Sequence, residues 1–400
     1  MKKNVRFTRN RLSRAITLAC LSPFAAQAIA GSGSCVDGSN VIDGAESATC
    51  TLDDGDSLRI TETGSITVAD DGVWAENVSL GGLTNEGTIT ATSGLGIYAF
   101  GKVSGGIINS GLIDASWHGM YVYSSNSKIV NSGTIISGDT GIYTFGGTSV
   151  TNSGTITASD KGIYLNGEVG GNLVNSGVIN SSESGIYTYN SSIGGNVLNT
   201  GTISTGDTAI YLHSTSVGGR VENSGVIDGG YRGIYLWDGS SVKGDVVNSG
   251  TIDADAGIYV GDGSSVGGDL VNTGTIIADE YKGLYVGGAS VGGDVRNSGW
   301  IDADDAGIYV RESSIGGDIV NSGTLQAGYH GIYVATSEIG GDIVNSGTLD
   351  AEYQGIYVRG SQVGGDIVNS GTLYAGYRGI YVGDASNVQG SIINSGTLIA

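Results

Sequence analysis

The sequence predicts an all-β fold, a right-handed parallel β-helix of about 14–15 coils, on three observations. A pentapeptide of the type Asn-Ser-Gly-Thr-Ile recurs every 21 to 25 residues from Asn85 to Asn394. Within each copy apolar residues alternate with variable ones, which is the period of a strand with one buried face. One copy cannot bury that face alone, so neighbouring copies must stack. The right-handed sense is taken by analogy with β-crossover connections.

Each coil of about 24 residues is expected to hold three short strands. The first ends at the recurring Asn, and the second carries the Ile or Leu four residues after it. The third is Gly-Ile-Tyr-Val, as in residues 307–310, where Ile308 should face the core and Tyr309 should face outward. A Ser-Val-Gly-Gly-Asp segment supplies a corner, because paired glycines permit a tight turn.

The recurring Asn is expected to be structural. It lies in phase with a buried aliphatic residue two positions earlier, so stacked Asn side chains should hydrogen-bond one another and the turn backbone. The predicted ladder contains Asn109, Asn131, Asn152, Asn175, Asn199, Asn223, Asn248, Asn272, Asn297, Asn321, Asn345 and Asn369.

The first 57 residues lack the repeat and divide into two parts. Residues 1–30 combine six basic residues, an apolar run at 15–21 and small residues at the end, which is typical of a secretory signal peptide. Residues 31–57 are expected to form an N-terminal cap. An exported pair as close as Cys35 and Cys50 most simply forms one disulfide. Residues 58–400 are then the β-helix.

The charge balance restricts the partners. The whole chain has a net charge of −21, and removal of the six basic residues of the signal segment leaves 12 basic against 39 acidic residues, a net charge of −27. Such an acidic surface argues against nucleic acid and anionic lipid as partners. It suits a soluble, self-repelling extracellular protein.

Two sets of tyrosines recur with the period of the repeat. Thirteen follow the Gly-Ile pair or its variants, and stacking at coil spacing explains them without any ligand. A second set lies four residues earlier and is confined to the later coils: Tyr231, Tyr281, Tyr329, Tyr353 and Tyr377. With the neighbouring Arg232 and Arg378, this set is the candidate for contact with carbohydrate or protein.

A row of acidic residues precedes the Asn ladder by three positions and includes Asp294, Asp318 and Asp342. Stacked carboxylates repel, so they should face water or share Ca²⁺; the solvated face is the favoured interpretation, with no cofactor. Catalysis finds little support, because the three His residues are scattered. The densest acidic spots, such as Asp304 and Asp305, look like variants of one repeat position.

The signal segment, the Asn-Ser-Gly-Thr-Ile and Gly-Ile-Tyr-Val repeats and the acidic mature chain together resemble the passenger domains of bacterial autotransporters, most of all the adhesin-type passengers. The resemblance covers about residues 58–400. It implies export to the cell surface or medium and a C-terminal translocator barrel in the outer membrane. No barrel strands are visible in the sequence, so we expect the protein to continue beyond residue 400.

Two function classes follow from this resemblance. The rod is expected to be an adhesin or cell–cell association module that contacts a host glycan, a host protein or a neighbouring cell through its lateral faces. The alternative is a passive spacer for a functional region beyond residue 400. A polysaccharide-processing enzyme is the least favoured alternative.

Overall fold

The computed structural model describes Cys35, residues 38–123 and residues 127–400. The predicted signal segment lies outside the described residues. The described chain is a parallel β-solenoid of about 15 turns with a spacing of about 24 residues, with 60% strand and no helix. The predicted fold class is therefore confirmed.

Three sheets run along the solenoid, and each coil contributes to all three. The first sheet has 16 parallel strands, and the Asn ladder runs along it from the third strand onward. Its strands are Ser39–Ile42, Ser57–Ile60, Gly82–Asn85, Ile107–Asn109, Lys128–Asn131, Ser149–Asn152, Leu173–Asn175, Val197–Asn199, Val221–Asn223, Val246–Asn248, Leu270–Asn272, Val295–Asn297, Ile319–Asn321, Ile343–Asn345, Ile367–Asn369 and Ile392–Asn394.

The second sheet also has 16 strands, and after each strand that ends in a ladder Asn, the next second-sheet strand begins three residues later. Its strands are Ala45–Glu46, Ser65–Val68, Thr88–Ala91, Leu112–Ala115, Thr134–Ser137, Thr155–Ala158, Val178–Ser181, Thr202–Thr205, Val226–Gly229, Thr251–Ala254, Thr275–Ala278, Trp300–Ala303, Thr324–Ala327, Thr348–Ala351, Thr372–Ala375 and Thr397–Ile399.

The third sheet contains the Gly-Ile-Tyr-Val segments, and from Ile186 onward each coil adds a second, two-residue strand after a corner. Its strands are Cys50–Thr51, Val73–Leu80, Ile97–Val103, Met120–Tyr123, Ile142–Gly147, Ile163–Val169, Ile186–Tyr189, Ser192–Ile193, Thr208–His213, Ser216–Val217, Arg232–Trp237, Ser241–Val242, Ala256–Gly261, Ser265–Val266, Leu284–Gly287, Ser290–Val291, Ala306–Arg311, Ser314–Ile315, His330–Ala335, Glu338–Ile339, Gln354–Arg359, Gln362–Val363, Arg378–Gly383 and Asn387–Val388.

Equivalent residues of successive coils lie in register. Asn297 pairs with Asn321, and Ile308 pairs with Ile332. Both isoleucines are fully buried, whereas Val320 on the opposite face of its strand is partly exposed. The alternation of apolar and variable residues therefore becomes an inside and an outside. Each coil covers the apolar residues of the coils above and below it, as repeat proteins require.

The solenoid starts earlier than residue 58. Ser39–Ile42 pairs with Ser57–Ile60, and Cys50–Thr51 pairs with the start of Val73–Leu80. The segment expected as a separate cap thus contains the first coil, with Ile42 buried and Val41 exposed like the alternating residues of later coils. The pentapeptide is missing there, but the strand alternation is present. A disulfide joins Cys35 and Cys50, whose Cα atoms are 5.1 Å apart.

Asn side chains form a continuous ladder at one corner of the first sheet. The Nδ2 of Asn297 donates to the Oδ1 of Asn321 at 2.8 Å and to the carbonyl oxygen of Thr324 at 3.1 Å. The same side-chain bond, 2.7–2.8 Å long, links every neighbouring pair from Asn85 to Asn394.

Glycine follows the Asn-Ser pair because the backbones of neighbouring coils approach closely there. A Cβ built on Gly323 would fall on the carbonyl oxygen of Gly299, and the same holds for the Gly299 position against Gly274. Only glycine leaves the room for this approach. The glycine of the pentapeptide is thus a packing requirement.

Candidate binding surface

The tyrosines that follow the Gly-Ile pair form one unbroken file, here called the inner column. Neighbouring ring centroids are 4.0–5.6 Å apart from Trp74 to Tyr381. The rings are half-buried, and Tyr235 is only 5% exposed. Burial raises the pKa of Tyr187 to about 12, since the phenolate would lose hydration. The inner column is therefore less exposed than the sequence suggested.

The outer column consists of Tyr231, Tyr281, Tyr329, Tyr353 and Tyr377. The last three stack in consecutive coils, with ring centroids 4.8 and 5.0 Å apart and planes only 7° apart. Tyr231 and Tyr281 are two coils apart and meet edge to face at 5.9 Å. Four of the five rings are exposed, Tyr329 at 47%, and Tyr353 is partly exposed. The structure thus brings three of the candidate tyrosines into one strip.

The backbone of the outer column accepts aspartate as readily as tyrosine. The coils between Tyr231, Tyr281 and Tyr329 hold Asp255 and Asp305 at the same position. The amide of Tyr281 donates to the carbonyl oxygen of Asp255, and the amide of Tyr329 donates to that of Asp305. The coils stack whether this position holds aspartate or tyrosine. The stacking of coils therefore does not explain why three consecutive coils hold tyrosine there.

An intervening column separates the two files of rings; it holds Arg232, Lys282, His330, Gln354 and Arg378. The guanidinium of Arg232 lies 4.0 Å from the rings of both Tyr231 and Tyr235. Lys282 forms an ion pair with Asp305 at 2.8 Å.

Arg378, at the end of the same column, is held in the same way. Its guanidinium lies 4.6 Å from the ring of Tyr377 and 4.1 Å from that of Tyr381. It also donates to the Oη of Tyr377 at 3.2 Å. The candidate arginines Arg232 and Arg378 are thus held against rings by cation–π contacts instead of extending toward a ligand.

His330 and Gln354 are the buried members of the intervening column, only 6% and 3% exposed. They lie in register in successive coils. His330 is surrounded by rings, with centroids 4.2 Å away at Tyr329 and 4.9 Å away at Tyr333. Its Nδ1 and the Oε1 of Gln354 have no hydrogen-bond partner. Burial lowers the pKa of His330 to about 4.

The sequence indicated no separate role for His330 or Gln354, each of which follows a tyrosine of the outer column. Both residues lie one position after an outer-column tyrosine and three positions before an inner-column tyrosine. This spacing in the sequence could have indicated that they lie between the two columns. How far the rings cover them depends on side-chain packing across coils.

The acidic row has a structural use that the sequence did not reveal. The Oδ1 of Asp318 accepts the backbone N–H of Asp342 at 2.8 Å, and the same bond recurs along the row from Asp245 to Ser391. Asp294 also forms an ion pair with Arg296. Asn172 accepts the N–H of Asn196 in the same way, at 2.8 Å. The sequence already places asparagine at this position in an earlier coil. An uncharged amide there indicates that the position needs an oxygen that accepts a hydrogen bond, and that a negative charge is not required.

The candidate metal ligands Asp294, Asp318 and Asp342 stand in this row, each with one oxygen bonded to a backbone amide of the next coil. Within the part of the chain that the structure describes, no three His, Cys, Asp or Glu side chains are grouped to hold a metal ion.

Aromatic residues on the other side of the inner column escaped the sequence analysis. They lie two residues after inner-column tyrosines in the earlier coils. Ring centroids are 4.5 Å apart for Phe100 and Tyr123 and 4.9 Å apart for Tyr189 and His213. Their constant position, two residues after an inner-column tyrosine, could have identified them from the sequence. Trp117, 53% exposed, stands at the outer-column position of an early coil, and Trp237 lies two residues after Tyr235. Aromatic residues therefore flank the inner column on both sides, and only the late coils hold three outer-column rings in succession.

No protein-family model matches the chain, and no curated protein or solved structure is significantly similar to it. Among the described residues, no helix is long and apolar enough to cross a membrane. The function is therefore inferred from the rod and from the aromatic surface on its side.

Proposed function

We propose that the protein is an autotransporter-type passenger that is displayed at the cell surface and acts as an adhesin or cell–cell association module. The observation that carries this proposal is the strip formed by Tyr329, Tyr353 and Tyr377 on the side of the rod. Exposed tyrosines in a contiguous patch are typical of interaction sites, because the ring supplies contact area and the hydroxyl supplies a hydrogen bond.

The strip supports an adhesin over a plain spacer because the fold does not require it. Aspartate occupies the same position at Asp255 and Asp305, and those coils stack with the same type of backbone hydrogen bond. Replacing a charged side chain by an exposed ring favours association over solubility. A passive spacer would gain nothing from exposed tyrosines in place of aspartates.

Display on bacterial cells tests the proposal. Residues 31–400 are fused to an unrelated translocator barrel, and clumping and adhesion to epithelial cells are counted. The matched control carries Tyr329→Asp, Tyr353→Asp and Tyr377→Asp, which installs the residue of earlier coils. We expect the natural rod to cause clumping or adhesion and the control to lose most of it. A folded rod that produces neither effect contradicts the adhesin and favours the spacer.

A further inference from the structure

We infer that the outward face of the first sheet is an interface between two copies of this chain, packed antiparallel about a two-fold axis midway between Val247 and Val271. This first-sheet face consists, in each coil, of the residues from three before the ladder Asn to one after it, such as residues 318–322. It is separate from the tyrosine strip and goes beyond the function proposed above. The inference rests on an aliphatic column and on charges that become complementary in this arrangement.

An aliphatic column runs along the first-sheet face, at the position directly before the ladder Asn. Neighbouring members lie in register in successive coils. The column contains Val130, Val174, Leu198, Val247, Val271, Val320, Val344 and Val368, and all are partly exposed. A continuous column of this kind suits the packing of one sheet on another. Exposed strands also favour valine, so the column alone does not identify an interface.

Two charged residues interrupt the aliphatic column, and they carry opposite signs. Glu222 and Arg296 occupy the column position three coils apart, with two valines between them. Glu222 forms an ion pair with Arg220 at 2.6 Å, and Arg296 forms one with Asp294. The two ion pairs are therefore reversed, because one coil holds the acid in the column and the other holds the base there.

An antiparallel second copy brings the reversed ion pairs together. Such a two-fold axis leaves each column facing the same column of the other copy. With the axis midway between the two coils, Glu222 faces Arg296 of the second copy, and Arg220 faces Asp294. Symmetry repeats this cluster on the other side of the axis. Parallel copies about a two-fold axis would instead place Glu222 against Glu222.

The column three positions before the ladder Asn is also divided by charge. Its later coils hold the acidic row from Asp245 to Asp366, and its earlier coils hold neutral or basic residues: Lys128, Ser149, Asn172, Asn196 and Arg220. The same axis places Asn196 opposite Asp318 of the second copy. One coil further out, it places Asn172 opposite Asp342. Side-chain amides donate to carboxylates, so these acids meet donors instead of other acids.

Within the described part of this face, like charges meet only beside the axis. Asp245 and Asp269 face each other there. Lys243 is exposed two residues before Asp245, so each copy brings one ammonium group next to these carboxylates and reduces their repulsion.

The facing area is large enough for a stable dimer. Ten coils, from the coil of Thr151 to that of Val368, face each other in this arrangement. They span about 48 Å along the rod, and the five residues across each coil span about 16 Å. Each copy therefore covers about 750 Å², close to one side of an interface of standard size.

Charge reversal tests the interface on the purified protein. We expect a dimer in light scattering and analytical ultracentrifugation at concentrations up to about 100 µM. Glu222→Arg and Arg296→Glu each place like charges opposite one another, so each should weaken dimerisation at least tenfold. The matched controls Glu312→Arg and Arg311→Glu break an ion pair of 2.9 Å outside the face and should leave dimerisation unchanged. Circular dichroism checks that all four variants keep the fold.

Mixing the two interface variants separates an intermolecular contact from a structural one. In a mixed pair, Glu222→Arg of one copy faces Arg296→Glu of the other, and the second cluster keeps its natural charges. We expect the mixed pair to associate at least tenfold more tightly than either variant alone. A charge that acts only within its own chain is not rescued by mixing.

Spin labels test the antiparallel direction. Ser322 and Ser370 are exposed at the edge of the face and are changed to Cys for labelling, one at a time. In the antiparallel dimer, the two copies of a label are five coils apart for Ser322→Cys and nine coils apart for Ser370→Cys. These offsets are about 24 and 43 Å along the rod. Double electron–electron resonance should therefore give a clearly longer distance for Ser370→Cys, whereas a parallel dimer gives equal distances.

Four outcomes overturn the interface: a monomer at all these concentrations, reversed variants that dimerise like the natural protein, mixed variants that do not associate, or equal label distances. Dimers of the purified protein without clumping or adhesion of displaying cells would remove the proposed function and keep the interface. Adhesion of cells by a protein that stays monomeric would do the reverse.

Discussion

The asparagine and aspartate columns use similar side chains in two different ways. An amide both donates and accepts, so Asn297 bonds to Asn272 on one side and to Asn321 on the other. A carboxylate only accepts, so Asp318 takes the backbone N–H of Asp342 instead. The Asn ladder is fully buried from Asn85 to Asn369, whereas the Asp row is partly exposed. Side-chain chemistry thus decides which column stands inside.

Removing one amide from the ladder should be costly. Asn297→Ala leaves the buried Oδ1 of Asn321 without its donor and takes one acceptor from the Nδ2 of Asn272. We expect the free energy of unfolding to fall by about 2–4 kcal/mol. Chemical denaturation measures this loss, with Ser298→Ala, at the exposed neighbouring position, as control. Equal losses in both variants would refute the structural role of the ladder.

His330 should make stability depend on pH. Its pKa is about 4 in the fold because burial opposes the charge, and 6.5 is its ordinary value. Between these values the unfolded chain takes up a proton that the folded chain refuses. Stability from this group is therefore complete above about pH 6.5, falls as the pH drops toward 4, and changes no further below that.

The variant His330→Gln, which copies the residue of the next coil, tests this pH dependence. Its unfolding free energy should fall less than that of the natural protein between pH 6.5 and 4. His118, whose pKa is also lowered by burial, is present in both proteins and cancels in the comparison. Parallel pH profiles would show that His330 is not the titrating group.

From Ile186 onward, the Gly-Ile-Tyr-Val strand of each coil ends at a corner that repeats along the rod. Asp262, Glu312 and Thr336 have φ angles of 46°, 52° and 51°, and Gly288 and Gly360 stand at the same position. Non-glycine residues rarely adopt this left-handed backbone. The corner is thus set by the stacking of neighbouring coils, which holds residues other than glycine in the same conformation.

The two faces of a coil should respond differently to a charge. Ile308 is fully buried, so Ile308→Glu places an unpaired carboxylate in the core and should cost at least about 3 kcal/mol. Ile258, in the equivalent position, should behave likewise. Val320 is partly exposed beside Arg296, so Val320→Glu should change stability by less than about 0.5 kcal/mol. Thermal melting compares the variants, and equal losses would refute the assignment of inside and outside.

At the scale of the whole molecule, the sequence predicts the solenoid well because its signal is repeated in almost every coil. The buried Ile308 and the outward Val320 both follow from strand alternation. The first coil was missed, because Ser39–Ile42 and Cys50–Thr51 keep the alternation without the pentapeptide. Its pairing with the next coil is a long-range contact that no local motif announces.

The candidate surface was only partly predictable. Spacing alone located Tyr329, Tyr353 and Tyr377, since residues at equal positions in stacked coils must lie above one another. Spacing did not fix where side chains point within a column. The burial of His330 and the contact of Arg378 with two rings depend on packing between columns.

All these surfaces depend on one claim, that equivalent residues of successive coils lie side by side. Cysteine cross-linking tests it directly, at Val320 paired with Val344 in the next coil or with Val368 two coils away. Neighbouring strands are about 4.8 Å apart, within reach of a disulfide, and a gap of two coils exceeds the limit of about 7 Å. We predict rapid cross-linking of Val320→Cys with Val344→Cys and none with Val368→Cys; similar rates for both pairs would contradict the stacked solenoid.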